Sequence, residues 1–124
     1  MEEQNSISKI ILDKAFEVHK VLGPGLLESA YEECLSYELT HAGLLVERQK
    51  PLPVIYKELL LEHGYRADII VENKVIIELK CVEAIADIHI AQALTYLKFS
   101  NLRLALILNF NVKQLKDGIR RLIM

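Results

Sequence analysis

The chain of 124 residues has few of the residues that build small secreted, zinc-binding or membrane proteins. Trp is absent, aromatic residues make up 6%, and the two cysteines, Cys34 and Cys81, lie far apart in the sequence. This spacing suggests neither a disulfide framework nor a zinc knuckle, and it favours a reducing compartment. No apolar run reaches the ~18 residues of a membrane span, and the acidic start lacks the apolar stretch of a signal peptide. We therefore expect a cytoplasmic protein that does not associate with membranes.

The chain also has no excess of charge of one sign. Its 15 Lys and Arg residues against 17 Asp and Glu residues give a net charge of −2 and a pI near 6.1. No global basic field would attract nucleic acid, so any such binding must come from a local site. Hydrophobic residues make up 52% and charged residues 26%. This composition excludes a disordered chain and, at this length, predicts a single domain over residues 1–124.

Apolar residues spaced three and four apart predict four helices, and short extended runs between them predict one sheet. The predicted helices are 7–22 with Asn5 or Ser6 as N-cap, 27–39 with Gly43 after its end, 87–98 with Asp87 as N-cap, and a last helix on Val112, Leu115, Ile119 and Leu122. The predicted strands are 45–50, 52–57, 59–62, 65–71, 75–82 and 102–110, of which the last is an interior strand. The order αα-βββ-α-β-α predicts an α/β fold with one mixed sheet and helices on both faces.

Three charged residues interrupt strands that otherwise have the composition of buried ones. Glu78 and Lys80 are two positions apart on one strand and share a face, and Asp68 lies on the preceding strand. Buried charges are costly unless they are compensated. A three-residue turn that pairs Val71 with Val75 would bring Asp68 opposite Glu78. The sequence therefore predicts two facing carboxylates with the Lys80 amine beside them.

Two facing carboxylates repel each other unless a cation lies between them. Oxygen ligands favour a hard ion, and Mg²⁺ typically takes one or two carboxylates together with waters and substrate phosphate. Lys80 would then orient or help deprotonate an ion-bound water, or hold the reacting phosphate. The spacing alone is more typical of an exposed ion cluster on an open sheet face, and that alternative stays open.

Three further polar residues could complete such a site. Gln92 and Tyr96 are one helical turn apart and lie on one helix face, where an amide and a phenol could position a nucleic-acid strand. Glu28 precedes an apolar helix stripe and could be a third carboxylate. Alternatively, Tyr96 is half-buried core, Gln92 is solvated, and Glu28 is a first-turn acid stabilised by the helix dipole. His19 and His89 have no partner at metal-ligand spacing, so we expect both to be structural or peripheral.

These residues carry a resemblance to a known family. Asp68, Glu78-Leu79-Lys80 and Gln92-Ala93-Leu94-Thr95-Tyr96 resemble the D…ExK…QxxxY motifs of the RecB-like branch of the PD-(D/E)XK nuclease superfamily. Gly25 to Tyr31 resembles the signature of the GxxExxY protein family, which is placed in that superfamily. The similarity covers nearly the whole chain, including Val18-His19, residues 22–31, residues 64–68 and Asn109-Phe110-Asn111-Val112.

The resemblance implies a restriction-endonuclease-like core and a role for each motif residue. Asp68, Glu78 and the carbonyl of Leu79 would bind Mg²⁺, with Mn²⁺ as an alternative, and Glu28 corresponds to an acidic residue of the first helical region. Lys80 would assist the attacking water. Gln92 and Tyr96 would position the substrate strand. The superfamily's Asp usually follows a Pro, whereas Ala67 precedes Asp68 here, a departure that leaves the metal ligand in place.

Our leading hypothesis is a Mg²⁺-dependent phosphodiester hydrolase, a nuclease acting on nucleic acid, with DNA favoured over RNA. The first alternative is a catalytically silent module that binds nucleic acid or protein within a larger assembly, which the acidic pI favours. The second is a hydrolase of a small nucleotide substrate, for which no long basic surface is needed. The sequence leaves open whether the site is shared in a homo-oligomer or extended by a partner protein.

Overall fold

The computed structural model covers residues 1–124 and contains three α-helices, five strands and a short 3-10 helix. The helices are α1 (Glu2–Leu22), α2 (Glu28–His41) and α3 (Asp87–Ser100). The strands are β1 (Val46–Tyr56), β2 (Leu59–Val71), β3 (Val75–Lys80), β4 (Leu104–Asn109) and β5 (Ile119–Ile123), and the 3-10 helix is Leu115–Gly118. No helix is long and apolar enough to cross a membrane.

The strands form one mixed sheet in the order β1-β2-β3-β4-β5. All neighbouring strands are antiparallel except β3 and β4, which are parallel and are joined by α3 as the crossover helix. The apolar side chains of the sheet form two cores. The larger core packs against α1 and α2, and the smaller one, which includes Ile70, Ile76 and Ile107, packs against α3. The predicted α/β fold with helices on both faces is confirmed.

The C-terminal ends of α1 and α2 agree with the sequence prediction better than the N-terminal end of α1 does. Gly23 follows α1 with a φ of 67°, and Gly43 follows α2 in the left-handed region, where the amides of Gly43 and Leu44 close the helix end. The N-terminal prediction for α1 is wrong, because the helix begins at Glu2 and Asn5 lies inside it. The Asn5 side chain instead accepts a hydrogen bond from Arg121 of β5.

The helix that we predicted from Val112, Leu115, Ile119 and Leu122 does not form. After the 3-10 turn the chain continues as β5, which pairs antiparallel with β4 from Leu108↔Ile119 to Leu104↔Ile123. The side chains of β5 alternate, with Ile119 packed on the larger core and Leu122 on the smaller one. The reason is that β4 would otherwise leave a row of backbone groups unpaired at a sheet edge, which pairing with β5 satisfies.

The two strands at the start of the sheet are longer than the sequence predicts. The four short extended runs between residues 45 and 71 merge into the single hairpin β1–β2, while β3 and β4 end within two residues of their predicted bounds. Between the pairs Leu52↔Tyr65 and Val54↔Leu61, β2 carries two more residues than β1, which is a bulge. Gly64 lies in it, and a Cβ there would meet Val54 Cγ2 at 2.3 Å. Only Gly therefore fits at this position.

Candidate active site

Asp68 and Glu78 come together where β2 and β3 separate. The turn of residues 72–74 and the pairing of Val71 with Val75 are as predicted, and the ladder ends at Ile69↔Ile77, so that Asp68 and Glu78 are next in register. Beyond this point the side chains replace the ladder. The Asp68 amide donates to Glu78 Oε2 at 2.9 Å, and the Leu79 amide donates to Asp68 Oδ2 at 2.9 Å. Each carboxylate is thus fixed by the backbone of the opposite strand.

Burial raises the pKa of both carboxyl groups, and the charge of Asp68 adds to the rise at Glu78. Glu78 is 6% exposed, and desolvation followed by the negative charge of Asp68 raises its pKa from 4.5 to about 8. Desolvation also raises the pKa of Asp68, against the opposing effect of its hydrogen bonds from Leu79 and Gln49. Two desolvated acids in contact are an arrangement that a cation between them would stabilise.

Lys80 is half-buried, forms no ion pair, and its positive charge lowers the pKa of both Asp68 and Glu78. The amine is therefore near both acids without being neutralised by direct contact. An exposed ion cluster would pair such an amine with a carboxylate in open solvent. Here Glu78 is buried and the Lys80 amine stays free to meet a substrate.

Glu28 reaches the same region from the first turn of α2. The Cys81 amide donates to Glu28 Oε2 at 3.3 Å, and the Glu28 charge contributes to the raised pKa of Glu78. Tyr31 explains how this turn is placed. Its fully buried hydroxyl donates to the Gly23 carbonyl at 2.6 Å and accepts from the Leu26 amide at 3.1 Å. The Tyr of the Gly25-to-Tyr31 segment therefore fixes the loop that presents Glu28.

The two predicted site residues of α3, Tyr96 and Gln92, differ in burial and in their contacts. Tyr96 is half-buried, and after desolvation the negative charges of Glu78 and Asp68 raise its pKa, so its phenol lies near both acids. Its ring stacks on Tyr65 of β2 at a centroid distance of 4.3 Å, and the Tyr65 hydroxyl donates to the Tyr96 carbonyl at 2.9 Å. Gln92 is exposed and makes no side-chain hydrogen bond within the protein. Its predicted contact with substrate stays a prediction.

The sequence analysis missed three polar residues that support Asp68. The Gln49 amide donates to Asp68 Oδ1 at 3.3 Å and to Glu32 Oε1 at 2.5 Å. Glu32 is 7% exposed and is neutralised by Arg48, whose Nε and second guanidinium nitrogen lie 3.1 and 3.0 Å from Glu32 Oε2. Glu32 is one helical turn after Glu28, and this i, i+4 spacing is the signal that could have identified it.

His19 and His89 both make hydrogen bonds within the fold, in agreement with the expectation that they are structural. His19 is buried and donates through Nε2 to the Val112 carbonyl at 2.8 Å, which ties α1 to the segment before β5. His89 accepts a hydrogen bond from the Ala86 amide at 2.9 Å and so closes the first turn of α3. The predicted side-chain cap at Asp87 is wrong, because Asp87 is the first helical residue and Ala86 occupies the cap position.

The donor set determines which ion would fit. Nowhere in the chain do three His, Cys, Asp or Glu side chains form a group that could hold a metal ion by themselves. Zinc-type sites built from three or four side chains are therefore a poor match. Two facing carboxylates with a main-chain carbonyl at Leu79 match Mg²⁺, which binds through one or two carboxylates and keeps several waters. The residues present fit such an ion, and the Glu28 charge acts on Glu78 without completing a three-carboxylate group.

Comparison with known proteins agrees with this geometry. No characterised protein and no solved structure matched the chain. A sequence model described as the PD-(D/E)XK nuclease superfamily matches residues 5–122, which includes most of α1, all of α2 and α3 and nearly the whole sheet. That match spans the carboxylate pair of β2 and β3, Lys80 and the crossover helix together, and on this evidence the chain belongs to the PD-(D/E)XK nuclease superfamily.

Proposed function

We propose that this protein is a Mg²⁺-dependent phosphodiester hydrolase that acts on nucleic acid, and that it is a GxxExxY-type member of its superfamily. The superfamily implies a nuclease-like phosphodiesterase, and its members generally use divalent metals. The observation that carries the proposal is the reciprocal hydrogen bonding of Asp68 and Glu78 to opposite strands, with the unpaired Lys80 amine beside them. A rigid acid pair of raised pKa next to a free amine is typical of a catalytic site.

Each residue has a separate task in this proposal. Asp68, Glu78 and the Leu79 carbonyl hold the ion, which supplies Lewis-acid stabilisation of the charge on the reacting phosphate. Glu28 joins them through an intervening water. Lys80 orients the attacking water or holds a non-bridging phosphate oxygen as a point charge. Gln92 and Tyr96, on the crossover helix, position the strand through an amide and a phenol.

Hydrolysis of end-labelled DNA and RNA, each single- and double-stranded, tests the proposal in Mg²⁺ and in Mn²⁺. We expect cleavage that falls by about 10²-fold or more in Asp68→Ala and in Lys80→Ala, because each removes a group that acts on the reacting phosphate. Lys113→Ala and Asp117→Ala, at exposed positions of the same residue types, serve as matched controls and should cleave normally.

Three results would contradict the proposal. Equal activity in Asp68→Ala, Lys80→Ala and the controls would mean a contaminant or another site. Cleavage of mononucleotides or dinucleotides but of no polymer would identify a small-nucleotide hydrolase instead. Binding of nucleic acid with no turnover in either metal would identify a binding module.

A further inference from the structure

A polar cavity lies on β1 and β2, at the stretch of β2 that precedes Asp68. It has a volume of about 510 Å³ and is lined by Pro51 of β1 and by His63, Tyr65 and Arg66 of β2. Arg66 precedes Asp68 by two residues on the same strand, so the two Cα atoms are roughly 7 Å apart. Tyr65 stacks on Tyr96, which lies near the acids. The cavity and the candidate active site therefore occupy neighbouring stretches of β2, and the Tyr65–Tyr96 stack lies between them.

The Arg66 guanidinium and the His63 imidazole in this cavity have no partner within the protein. Arg66 and His63 are both exposed, and neither forms an ion pair or a side-chain hydrogen bond. By contrast, the neighbouring Arg48 and Lys50 of β1 are paired with Glu32 and Glu47. In a chain with net charge −2, an unpaired guanidinium beside an unpaired imidazole on one concave surface is a local attraction for an anion.

The backbone in this region is built to make the cavity. The two-residue bulge of β2 lies between Leu61 and Tyr65 and carries His63, and bulges next to active sites commonly redirect a side chain. Gly64 allows β2 to approach Val54 more closely than any Cβ would permit. The bulge therefore brings His63 to the same cavity as Arg66 and Tyr65.

We propose that this cavity binds a phosphate of the nucleic-acid strand that flanks the phosphate to be cleaved. The Arg66 guanidinium donates to the flanking phosphate oxygens, His63 supplies a second N–H donor, and the Tyr65 phenol ring forms the wall beside the adjoining sugar or base. The inference rests on the proposed function, because it takes a polynucleotide as the substrate. The cavity would also explain how a chain with no overall excess of basic residues binds a polynucleotide.

Binding without turnover tests the inference directly. Labelled single-stranded and duplex DNA and RNA are titrated with protein in EDTA, between about 50 and about 200 mM salt. We expect Arg66→Gln to weaken binding about tenfold, because a charged hydrogen bond to phosphate is lost. The slope of log K against log salt should fall by about 0.7 for a single strand or about 0.9 for a duplex. His63→Gln should weaken binding by a smaller factor. Arg120→Gln, at an exposed position of β5, is the matched control and should bind as the wild type does.

The outcomes separate this inference from the proposed function. If the wild type binds nucleic acid and Arg66→Gln binds as tightly as Arg120→Gln with the same salt slope, the flanking-phosphate site is wrong and the hydrolase proposal stands. If the wild type binds no nucleic acid at the lowest salt, the inference is also wrong, and the hydrolase proposal is then decided by the Asp68→Ala comparison alone. A loss of affinity in Arg120→Gln equal to that in Arg66→Gln would mean nonspecific attraction and would overturn the inference.

Discussion

At the level of single residues, the contribution of Glu78 to the free energy of unfolding depends on whether its carboxyl group is protonated. Its folded-state pKa of about 8 lies above its ordinary value of 4.5, so the folded state binds the proton more tightly than the unfolded chain does. The stabilisation from neutral Glu78 is therefore fully present below the unfolded pKa and is lost as pH rises through the folded pKa. Without metal, the acid pair destabilises the fold most at and above neutral pH.

This predicts a pH-dependent difference between the wild type and Glu78→Gln in chelator. The Tm of the wild type should fall relative to that of Glu78→Gln by several °C as the pH rises from about 5 to about 8, since ~1 kcal/mol corresponds to about 4 °C at this size. Thermal unfolding followed by circular dichroism measures it. Glu83→Gln, at an exposed position, should follow the wild type. A constant difference across this range would contradict the shift.

Asp68→Asn removes the charge that repels Glu78 while keeping an oxygen for the Leu79 amide. In chelator we expect this variant to melt several °C above the wild type, because one of two desolvated like charges is gone. Addition of Mg²⁺ or Mn²⁺ should raise the Tm of the wild type and have little effect on the variant. Asp13→Asn on the exposed side of α1 is the control. If neither substitution nor metal changed the Tm, a tight carboxylate site would be ruled out.

Gln49 would not bind the ion itself, but we expect it to affect metal affinity because it contacts Asp68. It donates to both Asp68 and Glu32 and has a φ of 50°, a backbone conformation that is uncommon for a residue with a side chain. Gln49→Ala should weaken Mn²⁺ binding by about tenfold, because groups that orient a ligand commonly contribute that much. Electron paramagnetic resonance of free Mn²⁺ measures it. Gln114→Ala is the exposed control, and equal affinities in the two variants would argue against this role.

At the level of elements, the period of the apolar residues predicted α1, α2, α3 and β3, whose patterns are long or unambiguous. It failed at β5, where Leu115, Ile119 and Leu122 are also spaced three and four apart, as in a helix. What decides the structure there is the need of β4 for a hydrogen-bonding neighbour, and no local pattern contains that information. The carboxylate pair was predictable because charges within an apolar strand are conspicuous. The Gln49 contact was not, because it depends on how three elements pack, and the i, i+4 spacing of Glu28 and Glu32 indicates only that the two share a helix face.

Substitution of Gly118 distinguishes the predicted helix of this segment from the observed 3-10 turn and β5. The two structures predict stability changes of opposite sign. In a helix, Gly118→Ala would stabilise the protein by up to ~1 kcal/mol. In the observed structure a Cβ at Gly118 would lie 2.2 Å from the Asn109 carbonyl oxygen, so the β4 end or the 3-10 turn must shift. We expect a fall in Tm of about 4 °C or more, from a loss of ~1 kcal/mol or more in unfolding free energy. A rise in Tm would support the helix.

At the level of the whole molecule, stability comes from two hydrophobic cores, and the turn end of the β1–β2 hairpin packs on neither of them. Near its turn, the apolar side chains are mostly in solvent, with Ile55 65% and Leu60 54% exposed, whereas Ile70 nearer the other end of β2 is 1% exposed. A two-stranded ribbon adds little stability by itself. The hairpin end is therefore positioned by the sheet and does not in turn hold the sheet together.

The same substitution at two positions tests whether the hairpin end contributes less to stability than the core does. Ile55→Thr should change the free energy of unfolding by less than about 0.5 kcal/mol, because the side chain is largely solvated and Thr keeps the β-branch. Ile70→Thr should cost about 2 kcal/mol or more, since it places a hydroxyl in the smaller core. Urea unfolding measures both. Comparable losses at the two positions would mean that the hairpin end is buried in solution.

The sheet has the same order as the chain, and this has a consequence for how the protein is made. No strand has to enter between two that are already paired, so each can dock on the free edge left by its predecessor. Asp68 and Glu78 belong to the second and third strands in that succession. During synthesis, the topology lets both acids meet as soon as Lys80 has left the ribosome, while the crossover helix and the last two strands are still to come.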